Sequence, residues 1–463
     1  MTKPVINASI FALIVAGLCS SISAFRDPRV AAAMAGIVEP GGTPADATLA
    51  ETNPDQYAWE LFAYLVRQAQ SGAAGVADPN KLPFHEQDDT DGVWETWALA
   101  SSAAADAIDD KSEVFLYDGS RPARWNQLNR SHETKKILSP GLTAVPAKVQ
   151  AGGITRIALG QLPPDPNGGN QEVRINQATF DTIVSNHLYS QEGIQASIAT
   201  ALQNGKVSFV SFPGQSKEIK AAWIRLRACD NGAACLDKGR YHWRNVQFGA
   251  STQVWGLAAL HIMTKDLSNW FWADFIHVDC ESKVGACAGY ATGYVSPKSS
   301  DSTPHDAKPK SNTYGTRWQN YHLRGTQTGF LKNGQNAELS NPVLETFSNP
   351  TSCMTCHAYA SAGSGTQISG RVQVSGQALP NAGIDPSVGV PPLTSSYIYI
   401  PAGISEPNTN HTTLMYLQAD FEWAMTMNAQ HEIATHTPVV HHPTPGRKSS
   451  VLSIASASSN SVH

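Results

Sequence analysis

Thr252-Gln253-Val254-Trp255-Gly256-Leu257-Ala258-Ala259-Leu260-His261-Ile262-Met263 is followed, after a polar turn, by Trp270-Phe271-Trp272-Ala273-Asp274-Phe275-Ile276-His277-Val278. The first is the most apolar run of the chain and the second is rich in aromatics, a pattern that reads as buried β-strand. Upstream, Ile219 to Leu226 alternates as another strand, with Lys220 and Arg225 on its solvent side. Lys206–Val210, Tyr241–Phe248, Glu113–Asp118 and Glu172–Ile175 add shorter runs. Gly, Asn and Asp turns separate several of them, which favours antiparallel pairing.

Helices are expected on the flanks. Asn53-Pro54-Asp55 carries a cap, a first-position proline and an acidic first turn. Trp59, Phe62 and Val66 follow at helical spacing, so this helix is largely buried. Gln177–Leu202 reads as helix with a break near Gln191-Glu192-Gly193. Asn341–Phe347 reads as a short helix, and Thr412–Asn428 as a last one with Leu414, Leu417 and Phe421 inward. The expected fold is α+β: an antiparallel β-rich body with flanking helices and a C-terminal helical segment around Cys353–His357.

The chain has 463 residues, of which 41% are hydrophobic and only 15% charged, with a net charge of -5. No excess of Lys and Arg is present to neutralise phosphates, which argues against nucleic acid as a partner. The low charge fraction suits a protein outside the cytoplasm. Residues 1–24 have the layout of a secretory signal peptide: Lys3, an apolar run from Ile10 to Leu18, then small residues. The run is short for a transmembrane helix, and no later segment is apolar enough to span a bilayer. A periplasmic or secreted mature chain follows as the expectation. Residues 25–50 read as an irregular lead-in. The expected organisation is a body over 25–330, a second region over 331–430, and a flexible His/Ser/Pro-rich tail over 431–463.

Cys19 leaves with the signal, and six cysteines remain. Cys229 and Cys235 flank one short loop, and Cys280 and Cys287 another. Local disulfides are expected in an oxidising compartment; crossed pairs or free thiols are the alternatives that spacing leaves open. The last two lie in Cys353-Met354-Thr355-Cys356-His357, the C-x-x-C-H sequence that attaches c-type haem. Two thiols at this spacing add to the two vinyl groups of haem, and the next residue supplies a proximal imidazole. A thioredoxin-like pair would need a preceding strand, yet Ser348–Ser352 is rich in turn residues. A zinc site would need a second ligand pair, and no other C-x-x-C exists. One covalent haem c is therefore expected, on Cys353 and Cys356 with His357 as proximal ligand.

Three patches extend this reading. Asn341–Phe347 leading into the C-x-x-C-H sequence, Tyr321-His322-Leu323-Arg324-Gly325-Thr326-Gln327, and Trp270–Asp279 resemble exported bacterial proteins of the cytochrome c family with a single haem. The resemblance implies a periplasmic c-type haem protein and leaves its substrate open. The attachment sequence lies late in the chain, unlike in a small class I cytochrome c.

The sixth iron ligand separates a carrier, whose iron has two protein ligands, from an enzyme or sensor with an open position. Met415 has the spacing typical of a distal methionine; Met425, Met427 and His261 are alternatives. Each of these has an ordinary role in core packing or as a bonded histidine, as do His242 and His277. Arg317, Arg324, Arg371 and Trp318 are donors available to propionates. Phosphate-binding glycine loops, a nucleophile elbow and an H-E-x-x-H pair are all missing. The expected function is electron transfer with an unidentified redox partner; a peroxidase, oxidase or haem sensor is the alternative.

Overall fold

The computed structural model describes residues 39–81, 84, 90–102, 112–116, 120–128, 170–206, 208–248, 251–288, 313–332, 335–339, 341–344, 353–358, 360–363 and 416–429. The expected signal peptide and tail lie outside these residues, as do Met415, Arg371 and most of the loop after Ser282. Among the described residues, no helix is long and apolar enough to cross a membrane.

The two opening runs are adjacent strands. β1 (Ala98–Ser102), β2 (Asn170–Ile175), β3 (Lys217–Arg225), β4 (Trp243–Phe248), β5 (Ser251–Thr264), β6 (Phe271–His277) and β7 (Tyr321–Gln327) form one antiparallel sheet. Its order is β1-β2-β3-β5-β6-β7, with β4 pairing along the first half of β5. β5 is the long central strand, running beside β3 on one edge and beside β4 then β6 on the other. Gly256 sits where it crosses the Tyr241 ring: a Cβ there would lie 3.0 Å from Tyr241 and Leu226. All seven residues of β6 are buried, as expected of a strand covered on both faces. Two smaller ribbons follow: β8 (Leu331–Lys332) with β9 (Gln335–Asn336), and β10 (Ser361–Gly363) with β11 (Tyr416–Gln418).

Each face of the sheet has its own cover. Residues directly opposite in an antiparallel pair share a face. Ile219, Ala221, Leu260, Ile262 and Ala273 point to a core closed by α1 (Pro44–Thr52) and α2 (Pro54–Leu65). Asn53 caps α2 by accepting from the Gln56 amide, and Tyr57, Trp59, Leu61 and Phe62 make its buried stripe. The opposite face carries Glu218, Met263, Trp272 and Gln327 in one row and Lys220, His261 and Asp274 in the next. It is covered by α3 (Gln177–Ser185), α4 (Gln191–Gln203) and the described parts of the C-terminal segment. That segment includes α5's downstream neighbours α6 (Cys353–His357) and α7 (Trp423–Asn428), α5 itself being Val278–Ser282.

Several local expectations are corrected. Residues 44–52 form α1 instead of irregular lead-in, because Thr43 and Asp46 make a reciprocal capping box ahead of Pro44. Residues 112–116 are a turn, not strand: the Ser112 hydroxyl accepts from the Val114 and Phe115 amides. Among the described residues of Lys206–Val210, the strand pairing is a single parallel bridge, Ser208 with Gln418. The helix break falls at residues 186–190, and Gly193 lies inside α4, where a Cβ would meet the His187 carbonyl. Residues 342–344 are turn, and residues 345–347 lie outside the described residues. The last expected helix is instead β11, a tight turn and α7, because Tyr416–Gln418 finds a strand partner in Ser361–Gly363. Lys220 is half-buried rather than solvent-facing, and Arg225 is tied to Asp230 at 2.6 Å.

The local disulfides are present: Cys229 with Cys235 and Cys280 with Cys287, at Cα separations of 5.2 and 4.7 Å.

Candidate functional site

α6 is one turn of helix laid on the sheet face. Its start is held from two sides. The Cys353 amide donates to the Leu339 carbonyl at 3.1 Å, and the Met354 amide to Gln327 Oε1 at 3.1 Å. Gln327 is the last residue of β7 and also donates to the Gly329 and Ala337 carbonyls, so strand and helix are locked through one amide. Asn341 adds a tether from the preceding turn, donating to the buried Asp274 at 2.8 Å.

The helix presents His357 beside Trp272, with ring centres 4.6 Å apart. His357 Nδ1 donates to the Phe421 carbonyl at 2.9 Å, since a carbonyl can only accept. This fixes the tautomer and leaves Nε2 as the nitrogen with a free lone pair. The Phe421 carbonyl reaches this place through an unusual backbone. Asp420 and Phe421 both have positive φ, 49° and 69°. Two successive left-handed non-glycine residues cost about 1–2 kcal/mol each. Three bonds hold the turn: Asp420 accepts from the Phe212 amide at 2.8 Å and pairs with Lys265 at 2.6 Å, and its carbonyl accepts from Trp270 Nε1 at 2.8 Å.

His261 of β5 lies across the same face. It is 5% exposed, and its Nε2 is buried without a hydrogen-bond partner. Its Nδ1 is 3.8 Å from Cys353 Sγ, which in turn donates to the Leu339 carbonyl at 3.2 Å. The His261 and His357 ring centres are 6.5 Å apart and their planes differ by 28°. Burial pushes both imidazoles down to about 3, with the nearby Lys220 charge adding to the effect. For His357 the bond to Phe421 acts in the opposite sense. Both rings are therefore neutral over the physiological range, the form in which imidazole binds metals.

Comparison with known families, curated proteins and solved structures finds no match to the chain. The reading rests on the site alone.

The other histidines raised by the sequence are bound elsewhere. His242 pairs with Glu95 at 2.9 Å and stacks on Trp318, and Glu95 also holds Arg244. His277 stacks on Tyr241 at 3.6 Å, its Nδ1 accepts from the Asp279 amide, and its pKa is pushed down to about 4 by burial. Trp318 belongs to the core on the opposite face of the sheet. Arg324 pairs with Asp274 and Glu281. Met425 is fully buried in α7, in the same core as Trp272 and Cys353. The side chains of Cys356 and Met427 lie outside the described residues.

Two further features escaped the sequence reading. Trp272 was one aromatic among many until the register set it beside His357. Glu218 and Glu422 are buried neighbouring carboxyls next to the Phe421 turn, and burial, then the nearby Glu422, raises the pKa of Glu218 well above its ordinary value. Packing of the C-terminal segment on β3 brings these two residues together, so no local pattern marks them. A separate cleft of about 480 Å³ is lined by Trp97, Trp125, Gln177, Asp181 and Lys217 and holds neither His nor Cys.

Proposed function

We propose that this chain is an exported c-type haem protein that transfers electrons in an oxidising compartment. Cys353 and Cys356 would hold one haem through thioether bonds, and His357 would be its proximal ligand. The observation that carries this reading is the His357–Phe421 hydrogen bond, in the helix turn that bears both cysteines. A carbonyl acceptor on the far nitrogen is what orients and enriches a metal-binding imidazole.

When bound, the haem supplies reversible one-electron chemistry at iron. The chain supplies the rest. Gln327 and Leu339 fix the start of the helix that carries His357. Trp272 packs beside the ring, with centres 4.6 Å apart. Neutral His357 needs no proton removed before binding. The two disulfides support an oxidising compartment, and the signal-like residues 1–24 support export. The partner would be another redox protein.

The size of the sheet body favours a second reading, a haem enzyme or sensor, because a carrier needs little more than a haem cover. The test is covalent haem itself. The full chain, secreted in a host with haem-attachment machinery, should stain for haem on a denaturing gel. Cys356→Ala should lose most of that stain; wild-type yield of covalent haem in this variant would remove the assignment.

A further inference from the structure

We infer that the cleft where β1, α3 and the start of β3 meet binds a neutral saccharide. The cleft shares no residue with the proposed haem site, so this inference is independent of the haem reading. Its volume of about 480 Å³ lies within the range of about 300–1,000 Å³ usual for small-molecule sites.

The first pointer to a ligand is Trp97. It is 1% exposed, and its Nε1 is buried without a hydrogen-bond partner in the protein. Buried polar nitrogens nearly always have one. An indole N–H only donates, so the missing partner is an acceptor. Trp94, Trp243 and Trp318 share this feature but line no part of the cleft. Gly75 lines it beside Trp97: a Cβ built there would lie 3.4 Å from Trp97 Nε1 and 4.0 Å from Trp125 Cζ2. Its φ of 77° suits glycine, and its amide is held by Thr96 Oγ1 at 2.8 Å. The space against both indoles is thereby kept clear of any side chain.

Trp125 supplies the second wall. It is half-buried and packs on Phe180 with ring centres 5.5 Å apart and planes at 60°, which fixes its orientation. An indole face carries negative charge density, and the C–H groups on one side of a pyranose ring are its natural counterpart.

The rim is polar in both senses. Gln177 and Asp181 are exposed one turn apart on α3, and the Gln177 amide donates to Asp181 at 3.3 Å. Gln215 adds a second exposed amide. Hydroxyls both donate and accept, so a sugar can use such a mixed lining together with the Trp97 donor. Charged ligands fit less well. The Lys217 ammonium is paired with Glu39 at 3.0 Å and donates to the Gln215 carbonyl at 3.3 Å, so an anion would have to displace Glu39. A quaternary ammonium has no acceptor to offer Trp97. Asn176 shapes the wall only: it accepts from the Thr179 and Lys217 amides and donates to the Gln215 carbonyl.

The experiment is calorimetric titration of the full chain with cellobiose, maltose and N,N′-diacetylchitobiose, with choline and inorganic phosphate as the charged rivals. A disaccharide should bind with millimolar or tighter affinity, and choline and phosphate should not. Trp125→Ala should weaken that binding about tenfold or more. Asp181→Ala, at an exposed helix position, should keep the fold and weaken it about three- to tenfold. Trp97→Phe keeps most of the bulk and removes the N–H, with a similar loss expected; should it fail to fold, Asp181→Ala carries the test. Three results would overturn the inference: no binding of any of the disaccharides up to about 10 mM, binding of choline or phosphate in their place, or sugar affinity unchanged in both Trp125→Ala and Asp181→Ala. Haem content does not enter the measurement, so its failure leaves the haem reading standing.

Discussion

The Phe421 carbonyl accepts the Nδ1 proton of His357 at 2.9 Å, and it does so from a residue whose φ is 69°. A strained turn thus orients the imidazole next to the paired cysteines. Strain of this kind persists only where surrounding bonds over-determine it, and here Asp420 supplies them.

Asp420→Ala tests that link. It removes the Lys265 pair and the acceptor for the Phe212 amide, and it places alanine at positive φ. The loss expected is about 2–4 kcal/mol, from a charged buried hydrogen bond and the left-handed backbone. Denaturant unfolding reads it directly. Asp420→Asn, which tolerates this backbone, should lose less. Equal stability of parent and alanine variant would show that the turn is not held as described.

The Glu218–Glu422 pair gives a pH dependence of known sign. The folded pKa of Glu218 lies above its ordinary value of 4.5. The folded protein keeps a proton that the unfolded chain releases, so this contribution is full below about pH 4.5 and falls as pH rises through the folded value. Glu218→Gln removes the ionisation. Its stability relative to the parent should grow with pH, by at most about 1.4 kcal/mol per pH unit in that window. Thermal melts of both proteins at pH 5 and pH 8 decide it; a difference independent of pH rejects it.

Glu95 joins Arg244 and His242 in a buried cluster behind the sheet. Glu95→Ala removes the nearer carboxylate from the buried Arg244 guanidinium, leaving Asp91 at 3.6 Å, at a cost of about 3–5 kcal/mol. The damage should fall on stability while the haem spectrum of the surviving folded fraction stays that of the parent, because the cluster lies in the other core. A shifted spectrum would contradict the separation of the two faces.

Removing the Cys229–Cys235 disulfide should cost about 2 kcal/mol, since so short a loop restrains the unfolded chain only modestly. Cys229→Ser with Cys235→Ser should melt several degrees lower than the parent yet keep its covalent haem. Loss of haem in this double variant would show that these cysteines do more than close a loop.

Local chemistry was legible in the sequence wherever neighbours in the chain decide the outcome. The cap of α2 at Asn53 and the loop-closing cysteines follow from short-range sterics and hydrogen bonding. Thr43-Pro44-Ala45-Asp46 carried an equally local helix signal that the Ala/Gly/Pro content around it obscured. The segment from 412 to 428 shows the limit. Leu417 and Phe421 repeat at helical spacing, yet one lies in a strand and the other in a left-handed turn. Pairing with Ser361–Gly363, far away in sequence, outweighs the weak helical preference of a short segment.

The candidate site follows the same division. The sequence by itself singled out, by spacing alone, the residues proposed to attach and ligate a haem: Cys353, Cys356 and His357. Tertiary structure decided what faces them. His261 meets His357 because β5 and β6 pair in one register under α6, and a shift of one residue would turn His261, Trp272 and Glu218 to the opposite core. Register is set by the summed burial of both sheet faces, a property of no single stretch of chain.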